Sequence, residues 1–302
     1  MRKLGRQFLG LSIPLLSGLC AISVVLVVLI VMGEVIVGGW STLSWEFLST
    51  GPKAGMTEGG IYPAIIGTFL LVVMMSIAGV PIGTITAIYL SEYASQKSIL
   101  ARLIRFAVNT LAGVPAIVFG LFGLGFFIQF VGTGMDKILT GGADLKWGQP
   151  NILWASLTMA LLTLPVVIVS VEEAIKAVPR ELREASLALG ATKWETIRKV
   201  VLPNSITGIL TGGILAVSRG AGEVAPILFT GAAYFLPHLP GSLSDQFMEL
   251  GYHIYIMSTQ SPDVEATRGI QYATTLVLLL LTFTLNFSTI FLRYKIRTRK
   301  VR

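Results

Sequence analysis

Residues 184–203 read EASLALGATKWETIRKVVLP and form the most polar stretch between the long apolar runs of the chain. Gly190 is typical of a helix C-terminus, where the backbone often turns into a left-handed conformation. Thr192 and Glu195, three residues apart, have the form of a capping box, which predicts a second short helix that Pro203 ends. The stretch is therefore expected to form a projecting knob of two short helices that meet at a bend.

The composition around this stretch is that of a membrane protein. The 302 residues are 53% hydrophobic and 13% charged, with a mean hydropathy of +0.76. These values lie outside the usual range of a soluble globular domain. The single cysteine, Cys20, excludes an intramolecular disulfide framework and a metal cluster built on several thiolates.

The sequence contains none of the common catalytic or nucleotide-binding motifs. The patterns GxxxxGK[ST], GxSxG and HExxH are all absent from it. Two histidines, His238 and His253, are a weak metal signal. We therefore predict no catalytic residue, no metal site and no cofactor bound by this chain, and any nucleotide energy has to come from another subunit.

Six apolar runs are long enough to cross a bilayer, since a membrane helix needs about 20 residues. They cover residues 11–33, 63–91, 106–130, 152–171, 206–230 and 272–292. The first run follows a basic start, as a signal peptide does, but it is too long and lacks a small-x-small cleavage site. The sequence therefore predicts an all-α polytopic membrane protein with six transmembrane helices.

Glycine pairs within these runs have the small-xxx-small spacing of closely packed membrane helices. Gly79 pairs in this way with Gly83, and Gly208 with Gly212. The spacing favours ordinary helix packing within the chain, and an interface with another subunit is the alternative.

The placement of the basic residues predicts the orientation. Of the 23 Lys and Arg residues, 18 lie on the side of the knob and both termini, four lie on the opposite side, and Arg219 lies within a span. Because Lys and Arg accumulate in cytoplasmic loops, the knob and both termini are expected in the cytoplasm. This placement also accounts for the net charge of +7 without a nucleic-acid partner.

Arg219 and Glu223 occur in the run SRGAGEVAP near the middle of the fifth span. A charge at the centre of a bilayer costs about 2.5–3.5 kcal/mol, so an unpaired arginine is not expected to face lipid. At helical spacing i and i+4 the two side chains could form a packing salt bridge. Alternatively, Arg219 faces a water-filled path and lowers the barrier for an anion, with Glu223 holding or releasing it.

The 184–203 stretch resembles the EAA motif of ABC importer permeases. The matching positions are Glu184, Ala185, Gly190, Val200, Leu202 and Pro203, with Ser186 in place of the second Ala and Val200 in place of Ile. Three further runs are similar to those of phosphate-importer permeases of the PstA type. These are 84–93 (TITAIYLSEY), 109–123 (NTLAGVPAIVFGLFG) and 218–230 (SRGAGEVAPILFT).

This resemblance implies a type I ABC importer permease fold, with five core helices after an additional N-terminal one. It divides the chain into residues 1–61, a permease core at 62–293 with coupling helices at about 179–203, and a basic tail at 294–302. The implied partners are a homologous second permease, two ABC ATPase subunits that use ATP and Mg, an external phosphate-binding protein and membrane lipid. The implied location is the plasma membrane of a bacterium or archaeon.

The resemblance also implies roles for individual residues. The knob would supply the coupling helices that sit in a cleft of the ATPase, with candidate coupling residues Glu184, Ala185, Gly190, Leu202, Pro203 and Arg183. Arg219 and Glu223 would line the substrate path. The alternative within the same class is a permease for another oxyanion, such as phosphonate, molybdate or sulfate. The alternatives from other classes are a gradient-driven secondary transporter, a membrane-anchored signalling or scaffold protein, and an intramembrane enzyme.

Overall fold

The computed structural model describes residues 2–53, 57–95, 97–261 and 263–299, and these are helical apart from loops and one small hairpin. The α-helices are α1 (Arg2–Trp40), α2 (Trp45–Ser49), α3 (Tyr62–Ile88), α4 (Ile99–Ala112), α5 (Ala116–Phe122), α6 (Thr133–Thr140), α7 (Ile152–Lys176), α8 (Arg180–Ala188), α9 (Lys193–Thr196), α10 (Leu202–Gly220), α11 (Leu250–Thr259) and α12 (Val264–Arg299). Three π-helical segments, Tyr89–Tyr93, Gly123–Gly132 and Ile197–Val201, continue α3, α5 and α9. The antiparallel strands β1 (Pro52–Lys53) and β2 (Glu58–Gly59) form the hairpin.

Six helices in the described part of the chain are long and apolar enough to cross a membrane. They are Ile13–Trp40, Tyr62–Tyr93, Ala116–Thr140, Ile152–Lys176, Lys193–Gly220 and Val264–Lys295. The predicted number of spans is therefore confirmed, and the third and fifth differ most from their predicted bounds. The end of the predicted basic tail, residues 300–302, lies outside the described residues.

Helix α7 lies at the centre of the bundle and packs along both α3 and α10. A side chain at Gly83 would come within 2.7 Å of Val167, and one at Gly208 would overlap Ala174. Both small-xxx-small pairs therefore face α7, which confirms the packing interpretation. The first span differs, because the side chains of residues 13–31 are exposed and its packed end lies against α12, at Gly38 and Gly39.

The third predicted span, 106–130, is interrupted in its middle. Helix α4 ends and α5 begins on either side of residues 113–115, because the proline at the end of this segment lacks an N–H group and restricts the residue before it. Val108 shares a buried cluster with Ile168 of α7, and Phe127 stacks on Trp154 near the start of α7. Helices α4 and α5 therefore follow one another along α7, and the break lies midway across the bundle.

The fifth predicted span, 206–230, is wrong at both ends. The observed helix begins at Lys193 and ends at Gly220, and residues 221–231 continue as turns. Glycine at 220 and 222 and proline at 226 weaken helix propagation, although the run remains apolar. Because Asn151, at the start of α7, donates its N–H to the Thr230 carbonyl at 2.9 Å, the turn segment crosses the remaining half of the bundle.

Pro203 does not end the helix that the capping box starts. The chain passes through the π-helical turn Ile197–Val201 and continues into α10, with Pro203 in its first turn. A wide π-turn accommodates a residue that cannot donate an N–H, and the Asn204 side chain donates to the Val200 carbonyl at 2.8 Å. The second helix of the knob and the fifth span are therefore one continuous rod.

Candidate functional site

The first helix of the knob, α8, ends as the sequence predicts. Gly190 adopts a left-handed conformation with φ of +86°. The Gly190 N–H donates to the Leu187 carbonyl at 2.9 Å, and the Ala191 N–H donates to the Ser186 carbonyl at 3.2 Å. These bonds belong to the terminal motif that satisfies the last carbonyls of a helix. The bend at Gly190 is confirmed.

The second helix starts with the predicted capping box. The Glu195 N–H donates to Thr192 Oγ1 at 3.2 Å, and the Thr192 N–H donates to Glu195 Oε2 at 2.9 Å. A hydrogen bond of 3.0 Å between the hydroxyls of Ser186 and Thr196 joins the two helices. The knob, residues 180–196, is therefore braced internally on both sides of the Gly190 bend.

The knob presents an uncovered surface. No residue of α8 is buried, and the exposed apolar side chains are Leu182, Leu187, Leu189 (89% exposed) and Trp194. Glu184 and Ala185 are exposed too, and Glu184 makes no ion pair with any residue that the structure describes. A patch of this kind on a polar segment is typical of a surface that binds another protein.

The other predicted coupling residues lie apart from this surface. Leu202 and Pro203 are partly buried at the start of α10, one π-turn beyond the knob. Arg183 lies on the inner side of α8, where its guanidinium donates to Glu92 and to the carbonyls of Ile175 and Val178. Most of the Arg183 donors already have partners within the chain, and its contact with an ATPase stays a prediction.

Arg219 and Glu223 do not form the helical pair that their spacing suggested. Arg219 lies exposed in the last turn of α10, and Glu223 lies beyond the end of the helix. No ion pair joins them among the described residues, so the packing salt bridge is wrong. A side chain at Gly220 would overlap Met75, the central residue of α3. Arg219 lies at a helix end beside the middle of the second span, and it has no ion-pair partner among the residues that the structure describes.

Parts of the third and sixth spans also lie beside the end of α10 and the turn segment that follows it. A side chain at Gly120 of α5 would come within 2.9 Å of the Pro226 carbonyl in the turn segment after α10. The Ser218 hydroxyl donates to Asn286 Oδ1 of α12 at 2.8 Å. The sequence signals for the interruptions were Gly and Pro residues, but these residues are also tolerated in continuous membrane helices.

Irregular backbone inside a membrane is tolerated where it is buried in protein or lines a water-filled cavity, and transporters commonly place substrates there. The six spans, the interrupted helices around Arg219 and the uncovered knob define a membrane transport subunit that works with partner proteins. Residues 79–301 match the family described as "Binding-protein-dependent transport system inner membrane component". The chain belongs to this family.

Three curated relatives illustrate the similarity. The probable ABC transporter permease protein YqgI of Bacillus subtilis is 32% identical over 82% of this chain and 84% of that protein. The phosphate transport system permease protein PstA of Haemophilus influenzae is 31% identical, covering 72% of this chain and 67% of that protein. PstA 1 of Mycobacterium tuberculosis is 36% identical over 64% of this chain, and the match spans 60% of its length.

Solved structures share the fold at low identity. A bacterial ABC transporter chain involved in alginate import superposes with a TM-score of 0.65 at 14% identity, covering 97% of this chain and 98% of that chain. A chain of the MetNI methionine ABC transporter gives a TM-score of 0.54 at 17% identity, covering 78% of this chain and 94% of that chain. The fold is the type I ABC importer permease fold that the EAA resemblance implied, in a multi-pass membrane protein.

Proposed function

We propose that this chain is the permease subunit of an ATP-driven importer that carries inorganic phosphate across the plasma membrane. The observation that carries the proposal is Arg219 at the interrupted end of the fifth span, a cation with no ion-pair partner in the described part of the chain. An isolated cation within apolar surroundings is costly, and an anion that passes beside it offsets that cost. Several relatives of this chain are named phosphate transport permeases, which favours phosphate among the oxyanions.

The exposed surface of the knob is the observation that supports the partner subunits in this proposal. Leu187, Leu189 and Trp194 give it an exposed apolar surface, of the kind that a cleft on an ATPase subunit would cover. On this proposal two ATPase subunits bind ATP and Mg, a homologous second permease completes the path, and an external phosphate-binding protein delivers the substrate. The knob and both termini then lie in the cytoplasm, as the distribution of basic residues predicts.

The mechanism follows from the continuity of the elements. The knob is joined covalently to the fourth span through residues 177–179 and to the fifth span through the π-turn. When the ATPase subunits close, a knob held in their cleft moves as a rigid body and tilts these spans. The interrupted end of α10 moves with its span, so Arg219 alternates between access from one side of the membrane and access from the other.

Reconstituted vesicles that contain the complete complex test this proposal. Labelled phosphate uptake is measured with and without ATP, for the wild type, for Arg219→Ala and for Arg268→Ala, an exposed arginine at the start of α12 that pairs with Glu265. Two unit charges about 4 Å apart interact by about 4 kcal/mol at an effective dielectric constant of 20. Losing a third of that energy in the transition state slows uptake about tenfold, which is the loss expected for Arg219→Ala alone.

Two outcomes contradict the proposal. Uptake at the original rate by an assembled Arg219→Ala complex excludes Arg219 from the anion path. Uptake by the wild type that does not depend on ATP indicates a gradient-driven transporter. Molybdate and sulfate, added as competitors, measure the selectivity for phosphate.

A further inference from the structure

The second span has no covalent connection to the knob, unlike the fourth and fifth spans. Its end on the same side as the knob is the π-helical segment Tyr89–Tyr93, which is followed by a loop and α4. Met75 in the middle of the same span packs against Gly220, next to Arg219. Helix α3 packs along α7 and α10 inside the bundle. A contact between the end of the second span and the knob would add a direct connection at the level where the knob moves.

Glu92, in this π-helical segment, makes such a contact. Its Oε1 accepts hydrogen bonds from Arg183 Nε at 3.2 Å and from Arg183 Nη2 at 3.1 Å. The side chains of Glu92 and Arg183 are only 12% and 17% exposed, so solvent screens this ion pair weakly. The pair between Lys199 of the π-turn and Glu195 of the knob is much more exposed, with 71% and 43% of the two side chains accessible.

Arg183 is fixed from the other side as well. It donates to the Ile175 carbonyl at 2.7 Å and to the Val178 carbonyl, both at the end of α7. These carbonyls lie at or just beyond the helix C-terminus, where arginine donors commonly bind. Because the guanidinium already binds carbonyls at the end of α7, its additional hydrogen bonds to Glu92 connect the second span to both α7 and α8.

A neighbouring contact supports the same connection. Lys193 Nζ, from the second helix of the knob, lies 5.0 Å from the centre of the Tyr93 ring, within the range of a cation–π interaction. The two helices of the knob therefore contact consecutive residues, Glu92 and Tyr93, at the end of the second span. Among the described residues, Glu92 forms its ion pair with Arg183.

We infer that the ion pair between Glu92 and Arg183 is the positioning contact through which movement of the knob reaches the second span. This inference rests on the proposed function, since it assigns Glu92 to the coupling of ATP hydrolysis to transport. Glu92 contacts neither substrate nor nucleotide, and it acts through Arg183. The pair keeps the second span aligned with the fourth and fifth while the knob moves.

The test uses the complete complex in vesicles and the ratio of phosphate taken up to ATP hydrolysed. Glu92→Gln removes the charge and keeps the side-chain volume, and Glu92→Asp keeps the charge. The matched control is Glu173→Gln, an exposed acid in the last turn of α7. Because the bend, the capping box and the Arg183 bonds to α7 are unchanged in Glu92→Gln, ATP hydrolysis is expected to stay near the wild-type rate.

The expected result for Glu92→Gln is a loss of about tenfold in phosphate per ATP, within the roughly 5- to 150-fold range of couplings between distant sites. Glu92→Asp is expected to restore most of the ratio, and Glu173→Gln to leave it unchanged. A wild-type ratio in Glu92→Gln overturns the inference. Failure of Glu92→Gln to assemble with its partners also overturns it, because the pair is then a folding element.

A readout without phosphate separates this inference from the proposed function. Gly222→Cys in a Cys20→Ser background places a thiol at an open position beside Arg219, where a maleimide can react. ATP is expected to change the labelling rate in the otherwise wild-type complex, and Glu92→Gln is expected to abolish that change. If the wild type carries no phosphate, the proposed function fails, while the labelling still decides the role of the pair.

Discussion

Gly190 offers the sharpest test of the knob, because its substitution changes the backbone and little else. The residue has φ of +86°, and a Cβ built there meets no atom within 4 Å. Steric overlap with neighbours is therefore absent, and the cost of a side chain is the left-handed conformation itself. That cost is about 1–2 kcal/mol for an ordinary L-residue, highest for a β-branched one and lowest for asparagine.

A cost of this size lowers the ratio of correctly bent to altered knobs about 5- to 30-fold. We expect Gly190→Val to uncouple ATP hydrolysis from phosphate uptake, while the six spans remain inserted in the membrane. Gly190→Asn is expected to keep most of the coupling. Gly18→Val in α1 is a matched control, since that glycine also has open space around it but lies in a continuous helix.

The assay measures phosphate per ATP in vesicles, together with resistance of the chain to alkaline extraction from the membrane. Full coupling in Gly190→Val would refute the role of the bend. Equal losses in Gly190→Val and Gly190→Asn would show that side-chain contact with a partner, and not backbone strain, sets the effect.

Two further predictions concern the end of the bundle opposite the knob. A Cβ at Gly67 would overlap the Met248 carbonyl oxygen, so Gly67→Ala is expected to cost about 1–3 kcal/mol and to lower the melting temperature of the purified chain, whereas unchanged melting would contradict the close approach. Burial raises the pKa of Glu249 to about 7, and burial lowers the pKa of His253 to about 4. Ionisation of Glu249 therefore lowers the free energy of unfolding as pH rises from about 4.5 to 7, and protonation of His253 lowers it as pH falls from about 6.5 to 4. Between pH 4.5 and 6.5 the two effects on the free energy of unfolding oppose each other, so the melting temperature of the wild type is expected to change little with pH. In Glu249→Gln only the His253 effect remains, so the melting temperature is expected to fall as the pH falls. The same pH dependence in both proteins would contradict the burial of Glu249.

The features that the sequence predicted correctly depend on local physics. The number of spans follows from the length of apolar runs, because each membrane helix buries its own backbone polar groups. The bend at Gly190 and the capping box at Thr192 involve residues within one or two turns of each other. Such features need no knowledge of the rest of the molecule.

The errors arose where hydropathy and conformation differ. Residues 221–230 are as apolar as a membrane helix, yet they lie in turns, because hydropathy measures the preferred solvent and not the backbone conformation. Pro203 is a helix terminator in most sequences, but the π-turn before it accommodates the proline. The partner of Arg183 could not be predicted, because Glu92 lies 91 residues away in the sequence and the tertiary fold alone brings them together.

The π-turn Ile197–Val201 sets the rotation of α10 about its axis relative to the knob. Each residue of an α-helix turns the chain by about 100° and advances it by 1.5 Å, so the π-turn sets the direction in which every later side chain of α10 points. The second helix of the knob and Arg219 lie on opposite sides of this turn, on one continuous rod. The direction in which Arg219 points relative to the knob is thus set by the number of residues between them. Inserting or deleting one residue there would rotate the arginine about the helix axis by more than a quarter of a circle.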